Sequence, residues 1–417
     1  MKTAYDALIV GAGPAGSTAA ILLASAGWSV ALIEKQAFPR RKVCGACISA
    51  SNLPLLATLG LGDTFAQLAG PELREVAVYC GDRVLRAPLP AVPNARYPWG
   101  RALGREAFDM LLLERARELG VSIWQPWSTR AIDGSAGAFR CSLEARLTLQ
   151  LAELRAPTVI MANGSWEADP GDNRRAPRRS GDLFAFKANF SGSQLAPGLL
   201  PVISFAGGYG GLVIAENGQL TLAGCIRRDA LKACRAAAPG HTAGEAFERH
   251  LRTVTRGLRD ALTGARREGT WLGIGPIQPG IREPWNRADG RFMIGNAAAE
   301  AHPIIGEGIS MAMQSASLLC ERLITAKREN LSAAALERVG AGYASQWRQA
   351  FAPRLRLAAT LAHLAMRPWL APIVWPMLGR APRLMTAIAR GAGKARIAPS
   401  LKDVPPLGRF ESLEDAN

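Results

Sequence analysis

The segment YDALIVGAGPAGSTAAILLASAGWSVALIEK, beginning at Tyr5, permits few folds. Ala7 to Val10 is an apolar run of buried-strand length, and Gly11, Gly13 and Gly16 follow at the G-x-G-x-x-G spacing, opening an Ala/Leu-rich helix. Gly11 suits a tight turn, Gly13 lets a pyrophosphate approach the backbone, and Gly16 lets the helix lie close on the strand. Pro14 and Ala15 fill the rest of that turn, and the helix N-terminus then faces phosphate. A second strand, Ser29 to Ile33, ends in Glu34 and Lys35, where a carboxylate can accept hydrogen bonds from an adenosine ribose. A glycine string alone can merely tighten a turn; the strands on either side and the carboxylate make this a dinucleotide site. No second such string follows a later strand, so one nucleotide domain is encoded.

A chain of 417 residues is long enough for two or three units, and 48% hydrophobic with 20% charged residues excludes a chain disordered overall. Lys and Arg number 50 against 34 Asp and Glu, a net +16 that favours anionic partners. Nucleotide cofactors, acidic substrates, carrier proteins and anionic lipid all fit, and an Arg-rich genome raises the charge with no partner at all. No helix-turn-helix, zinc-finger or interleaved aromatic pattern supports a nucleic-acid binder. Seven cysteines form an odd, scattered set, unlike a secreted disulfide framework, and Met1 to Asp6 has no export signal, so a cytoplasmic chain is expected. The four histidines make no spaced ligand motif, and no metal is expected.

Four motifs in order carry a resemblance: GAGPAG with Glu34, FPRRKVCGACIS (38–49), GREAFDMLLLERARELG (104–120) and FMIGNAAAEAHPIIGEGISMAMQSA (292–316). From Tyr5 to about Leu323 the chain resembles the FAD-dependent flavoproteins grouped with para-hydroxybenzoate hydroxylase, and within them the geranylgeranyl-reductase-like branch. The resemblance implies FAD. It implies that Arg105 lies near the FAD phosphates, and that Gly295 and Asn296 meet the ribityl chain, with Asn in place of the family's usual Asp. Pro303, Gly306, Gly308 and Ile309 correspond to the turn that faces the flavin ring, followed by a helix whose positive end favours a reduced, anionic flavin. Arg40, Arg41 and Lys42 follow Glu34 closely enough to shield the adenosine diphosphate; Arg41 is assigned to the cofactor, and a solvated turn is the alternative.

Many hydroxylases of this group carry a mid-chain Asp-Gly pair linked with nicotinamide. Here the pair is Asn163-Gly164, so NADPH or NADH remains an open choice of electron donor. Cys44 and Gly45 match the reductase-like branch, whereas Cys47 is an extra thiol. The C-x-x-C is either a redox dithiol or, on the favoured reading, places Cys44 as a thiol lining the site. His302, just before Pro303, is a candidate acid–base group, although lone histidines are more often simply hydrogen-bonded.

The expected fold is α/β, α+β overall: a Rossmann-like FAD-binding domain (1–75, 101–180 and 281–335), an antiparallel substrate sheet (76–100 and 181–280) and a C-terminal helical region (336–417). Gly207 to Gly211 lack the context of a phosphate loop, and Tyr209 and Gly210 are assigned to the substrate cavity. Residues 351–402 contain nine Arg and Lys side chains and no acidic one, interleaved with Trp and Leu. That composition fits either an interfacial segment on anionic lipid or a helical cap over the cavity. The expected activity is oxidoreduction by FAD, as a monooxygenase hydroxylating an aromatic, polyketide or lipid-like quinone precursor. The alternative is a reductase of isoprenoid double bonds. The expected partner is a small hydrophobic or aromatic substrate, free or carrier-bound, met in the cytoplasm or at the inner membrane face.

Overall fold

Alternation along the first strands decides the architecture. In a computed structural model, Ala7–Val10, Val30–Ile33, Ser122–Trp124, Thr158–Met161 and Phe292–Met293 form one parallel sheet, with Ala7–Val10 central. Ala7, Ile9, Val30 and Leu32 point into a core shared with the helices Pro14–Ser25, Arg105–Glu118 and Gly308–Glu329. Leu8, Val10, Ala31 and Ile33 point the other way, onto Phe139, Cys141, Leu143 and Leu154 of a three-stranded antiparallel sheet. A strand covered on both faces must be apolar throughout, as these are. The structure describes residues 2–93, 95–164, 179–329, 331–370, 376, 380 and 382–394. The Ile373-Val374-Trp375 cluster and the acidic end at 411–417 lie outside them.

The second sheet has seven strands in the order Arg266–Ile277, Leu183–Ser191, Leu220–Arg227, Gly208–Ile214, Leu199–Phe205, Glu75–Cys80, Arg83–Pro88. The Rossmann-like domain, the substrate sheet and the C-terminal helices are as expected, with one correction. The substrate sheet is mixed, because Leu199–Phe205 and Glu75–Cys80 run parallel. The long excursion between these strands passes through the FAD-binding domain and allows the chain to re-enter in the same direction, which a hairpin cannot do.

Helix Gly308–Glu329 packs along Pro14–Ser25, bringing the late motif onto the first one. Gly295 marks the contact: its φ is +59°, and a Cβ there would stand 2.9 Å from that of Ala15. Helix Ala333–Ala365, which continues through Pro353, then crosses to the substrate sheet, where Gly207 N–H donates to the carbonyl of Met366. Among the described residues no helix is long and apolar enough to span a membrane.

Candidate active site

One cavity of about 1520 Å³ runs from the glycine turn, past the late turn, to the C-terminal helices. At the turn, Gly11 adopts φ +105° and its N–H donates to Ile33 O, while a Cβ on Gly16 would fall 1.8 Å from Gly11 O. Gly13 is different: its missing Cβ points into open space bounded by the Arg40 and Arg105 guanidinium groups, at 3.6 and 3.8 Å. Two cations and a helix N-terminus thus face one slot, the donor set a pyrophosphate needs. Beside it the buried Glu34 carboxylate accepts from Ala12 N at 3.0 Å and Gln36 N at 2.9 Å and pairs with Arg40 at 2.8 Å.

Asp109 sets the slot. Fully buried, it accepts from Arg105 at 2.6 and 2.7 Å and lies 3.5 Å from Arg40. Arg105 and Asp109 stand one helical turn apart, a spacing that was visible in the sequence, but their common reach to Arg40 was not. Arg40 Nε is buried without a hydrogen bond of its own. The residues present therefore fit FAD: Glu34 for the ribose, and Gly13, Arg40 and Arg105 for the phosphates. Lys35 and Lys42 line the same cavity, and burial, then Arg40 and Arg105, pull the Lys42 ammonium down to about 8. Arg41 is a correction. It is exposed and outside the cavity lining, with its guanidinium beside Gly269. Arg40→Ala is expected to weaken FAD binding about 10- to 100-fold, the worth of a charge-assisted hydrogen bond. Arg41→Ala should leave it unchanged, as read by flavin fluorescence titration of apoprotein.

Gly295, Asn296, Pro303, Gly306, Gly308 and Ile309 line the middle of the cavity, as do Cys44, Gly45, Asn163 and Gly164. Gly306 is left-handed at φ +61°, with Cys47 and the Lys394 ammonium close by. Lys394 Nζ donates to Gly306 O at 3.3 Å and Ser49 Oγ at 3.2 Å, and pairs with the fully buried Glu307 at 3.1 Å. Ser49 Oγ also donates to Glu307. Ser49 was visible only as the end of the 38–49 motif and Lys394 only as part of a basic run; nothing in spacing links position 394 to 307.

Both C-x-x-C thiols are free. Cys44 Sγ accepts from Ala46 N at 3.4 Å, and Arg105 also reaches it. Burial pushes the Cys47 thiol up to about 11, which makes it a poor thiolate and argues against a dithiol relay. His302 stands behind Tyr209, Nδ1 to Oη 3.0 Å. Burial, then the neighbouring His363, pull the His302 imidazole down to about 4, so it is neutral near pH 7 rather than a resting acid.

The far end of the cavity is apolar. Tyr209 and Gly210 form its wall with Val76, Leu200 and Val202, and Leu361, Leu364, Leu370, Leu384 and Met385 close it from the C-terminal region. The described residues of the C-terminal region thus close this end of the cavity. The outer surface of that region exposes Trp369 (70%), Leu364 (41%) and Leu384 (40%) beside the exposed cations Arg367 and Arg383.

Residues 4–168 match the FAD binding domain family. Menaquinone reductase of Mycobacterium tuberculosis is 26% identical over 401 residues, covering 92% of this chain and 90% of that protein. Squalene monooxygenase of Rattus norvegicus is 26% identical over 162 residues, covering 38% of this chain and 28% of that protein. Among solved structures, the myxobacterial chondrochloren halogenase superposes with a TM-score of 0.72 at 20% identity, covering 84% of this chain and 80% of that one. With the slot and trough described above, these matches make the chain an FAD-dependent oxidoreductase whose residues 4–168 match an FAD binding domain.

Proposed function

We propose that this chain is a monooxygenase that hydroxylates an apolar ring compound, a lipid-like quinone precursor or an aromatic molecule of similar polarity. The observation that carries this reading is the single trough, whose nucleotide end is cationic and whose far end is hydrocarbon. Bound FAD supplies the redox chemistry, taking electrons from NADPH or NADH and passing them to oxygen or to substrate. The protein's own contribution is binding and exclusion. Glu34, Arg40 and Arg105 hold the dinucleotide, and the glycine-rich wall and capping helices desolvate the substrate. Among the described residues that line the far end, Arg367 is the cation, at the rim, so recognition there is by shape and apolar area.

A second reading, saturation of an isoprenoid double bond, is favoured by the match to menaquinone reductase, which extends over 90% of that protein. Incubation with reduced nicotinamide, a long-chain quinone precursor and isotopically heavy oxygen separates the two. Label in the product is the expected result; anaerobic gain of two hydrogens with no label would overturn the hydroxylase reading in favour of the reductase.

Leu364 and Leu384 line the cavity and are exposed, and exposed Trp369 lies between the lining residues Pro368 and Leu370, with Arg367 and Arg383 nearby, the composition of an interfacial surface on anionic lipid. Flotation with phosphatidylglycerol vesicles is expected to carry the chain, and Trp369→Ser with Leu384→Ser should reduce the bound fraction several-fold. Equal flotation of the double variant would remove the membrane from this reading.

A further inference from the structure

A charged pair is built into the wall of the late turn. Lys394 lines the cavity, and its ammonium donates to the Gly306 carbonyl at 3.3 Å. Glu307 follows in the same turn, fully buried and outside the cavity lining. Its Oε1 meets the ammonium at 3.1 Å and accepts from the Ser49 hydroxyl, while Oε2 is buried with no hydrogen bond. Ser49 N–H donates to Ser310 Oγ at 3.1 Å, in the first turn of helix Gly308–Glu329. Strand Cys47–Ile48, the late turn and the last described residue of the chain therefore meet at one ion pair.

We propose that the Glu307–Lys394 pair sets the reduction potential of the bound FAD, with Lys394 favouring the reduced form and Glu307 restraining it. The proposal rests on reading the late turn as the wall against the flavin ring. A hydride from reduced nicotinamide carries two electrons and one proton, so the flavin that accepts it gains one negative charge. A neighbouring cation stabilises that charge and raises the potential; a neighbouring carboxylate does the reverse.

The arrangement fixes the sign of each contribution. The cation stands at the cavity wall and the carboxylate behind it, so the pair presents its positive end to the site. Both side chains are held away from water, so their charges reach further than surface charges would. Among the described residues lining the cavity, the other cations stand at the nucleotide end or, as Arg367, at the far rim. The positive end of the helix beginning at Gly308 adds to the effect of the lysine. Arg354, a second buried cation, donates to Gln314 and packs on Gly393, and it survives any substitution of the pair.

Midpoint potentials of the FAD-loaded protein, read against a reference dye during slow anaerobic photoreduction, test this through opposite signs. Glu307→Gln removes the anion and keeps an oxygen that accepts from Ser49 and Lys394. The ratio of reduced to oxidised flavin at a fixed potential should rise about tenfold, the reach of a unit charge at an effective dielectric of about 20. For two electrons that is about 30 mV. Lys394→Met should lower the ratio by a similar factor, and the double variant should return close to the unaltered protein. A merely structural role would move both single variants the same way, so shifts of like sign, or none in Glu307→Gln, would overturn the proposal. If Lys394→Met holds no FAD, the sign in Glu307→Gln decides alone. A further variant separates the underlying reading. Gly308 lines the cavity, and a Cβ there meets no heavy atom within 4 Å. Gly308→Asp brings a carboxylate to the front of the turn and should lower the potential or exclude FAD. No effect on either would overturn the reading of the late turn and the proposal with it; an effect there with none in Glu307→Gln would overturn the role of the pair alone.

Discussion

Gly16→Ala is expected to give a colourless protein that takes up no FAD. The added Cβ would sit 1.8 Å from the carbonyl oxygen of Gly11, a backbone atom that cannot rotate away. Relief requires the helix Pro14–Ser25 to lift from the strand, which opens the slot at Gly13 and separates the helix from Gly308–Glu329. Overpacking a tight contact costs about 1–3 kcal/mol where side chains can yield, and more is expected where only backbone can. Gly181→Ala provides the contrast, since no heavy atom lies within 4 Å of its Cβ position and it is outside the cavity lining. Absorbance of purified protein with and without added FAD reads both variants, and a yellow Gly16→Ala protein would contradict the steric account.

That first turn was legible because each glycine answers a local steric demand, and local demands are written in short spacings. The residues of the late turn were expected in the site through resemblance alone, and Gly295, Asn296, Pro303 and Gly306 do line the trough. Arg40 and Arg41 were not separable, because which neighbour faces inward depends on the path of an irregular loop. Lys394 was read as part of a basic run, and its pairing with a buried carboxylate 87 positions earlier has no periodic signature. The parallel pair in the substrate sheet was missed for a related reason: strand direction follows from long connections, and alternation reports only which face is buried.

The second large effect is expected at that lysine. Glu307 is fully buried, with Oε2 making no hydrogen bond, and Lys394 is a cation in contact with it, 12% exposed. Lys394→Met would leave the carboxylate unpaired in a dry site. Breaking such a pair from one side costs about 3–5 kcal/mol, a large share of the stability of any domain. The loss should fall first on the C-terminal segment, where Lys394 O also accepts from Ser51 N and where Arg354 packs against Gly393. Limited proteolysis should therefore cut near residue 390 in the variant and spare the unaltered protein. Glu307→Gln added to Lys394→Met should restore most of the resistance, because a neutral amide tolerates the loss of the cation. Equal proteolysis of the two proteins would show that the pair does not hold the cap.

The helix Pro382–Gly391 lies against Arg83–Pro88, the last strand of the substrate sheet, where Thr386 Oγ1 donates to Pro88 O. An outermost strand left bare is a template for pairing with another molecule. Trimming the chain before this helix in search of a better-behaved fragment would thus trade a greasy tail for a sticky rim. The shortened protein would be prone to self-association through β-pairing.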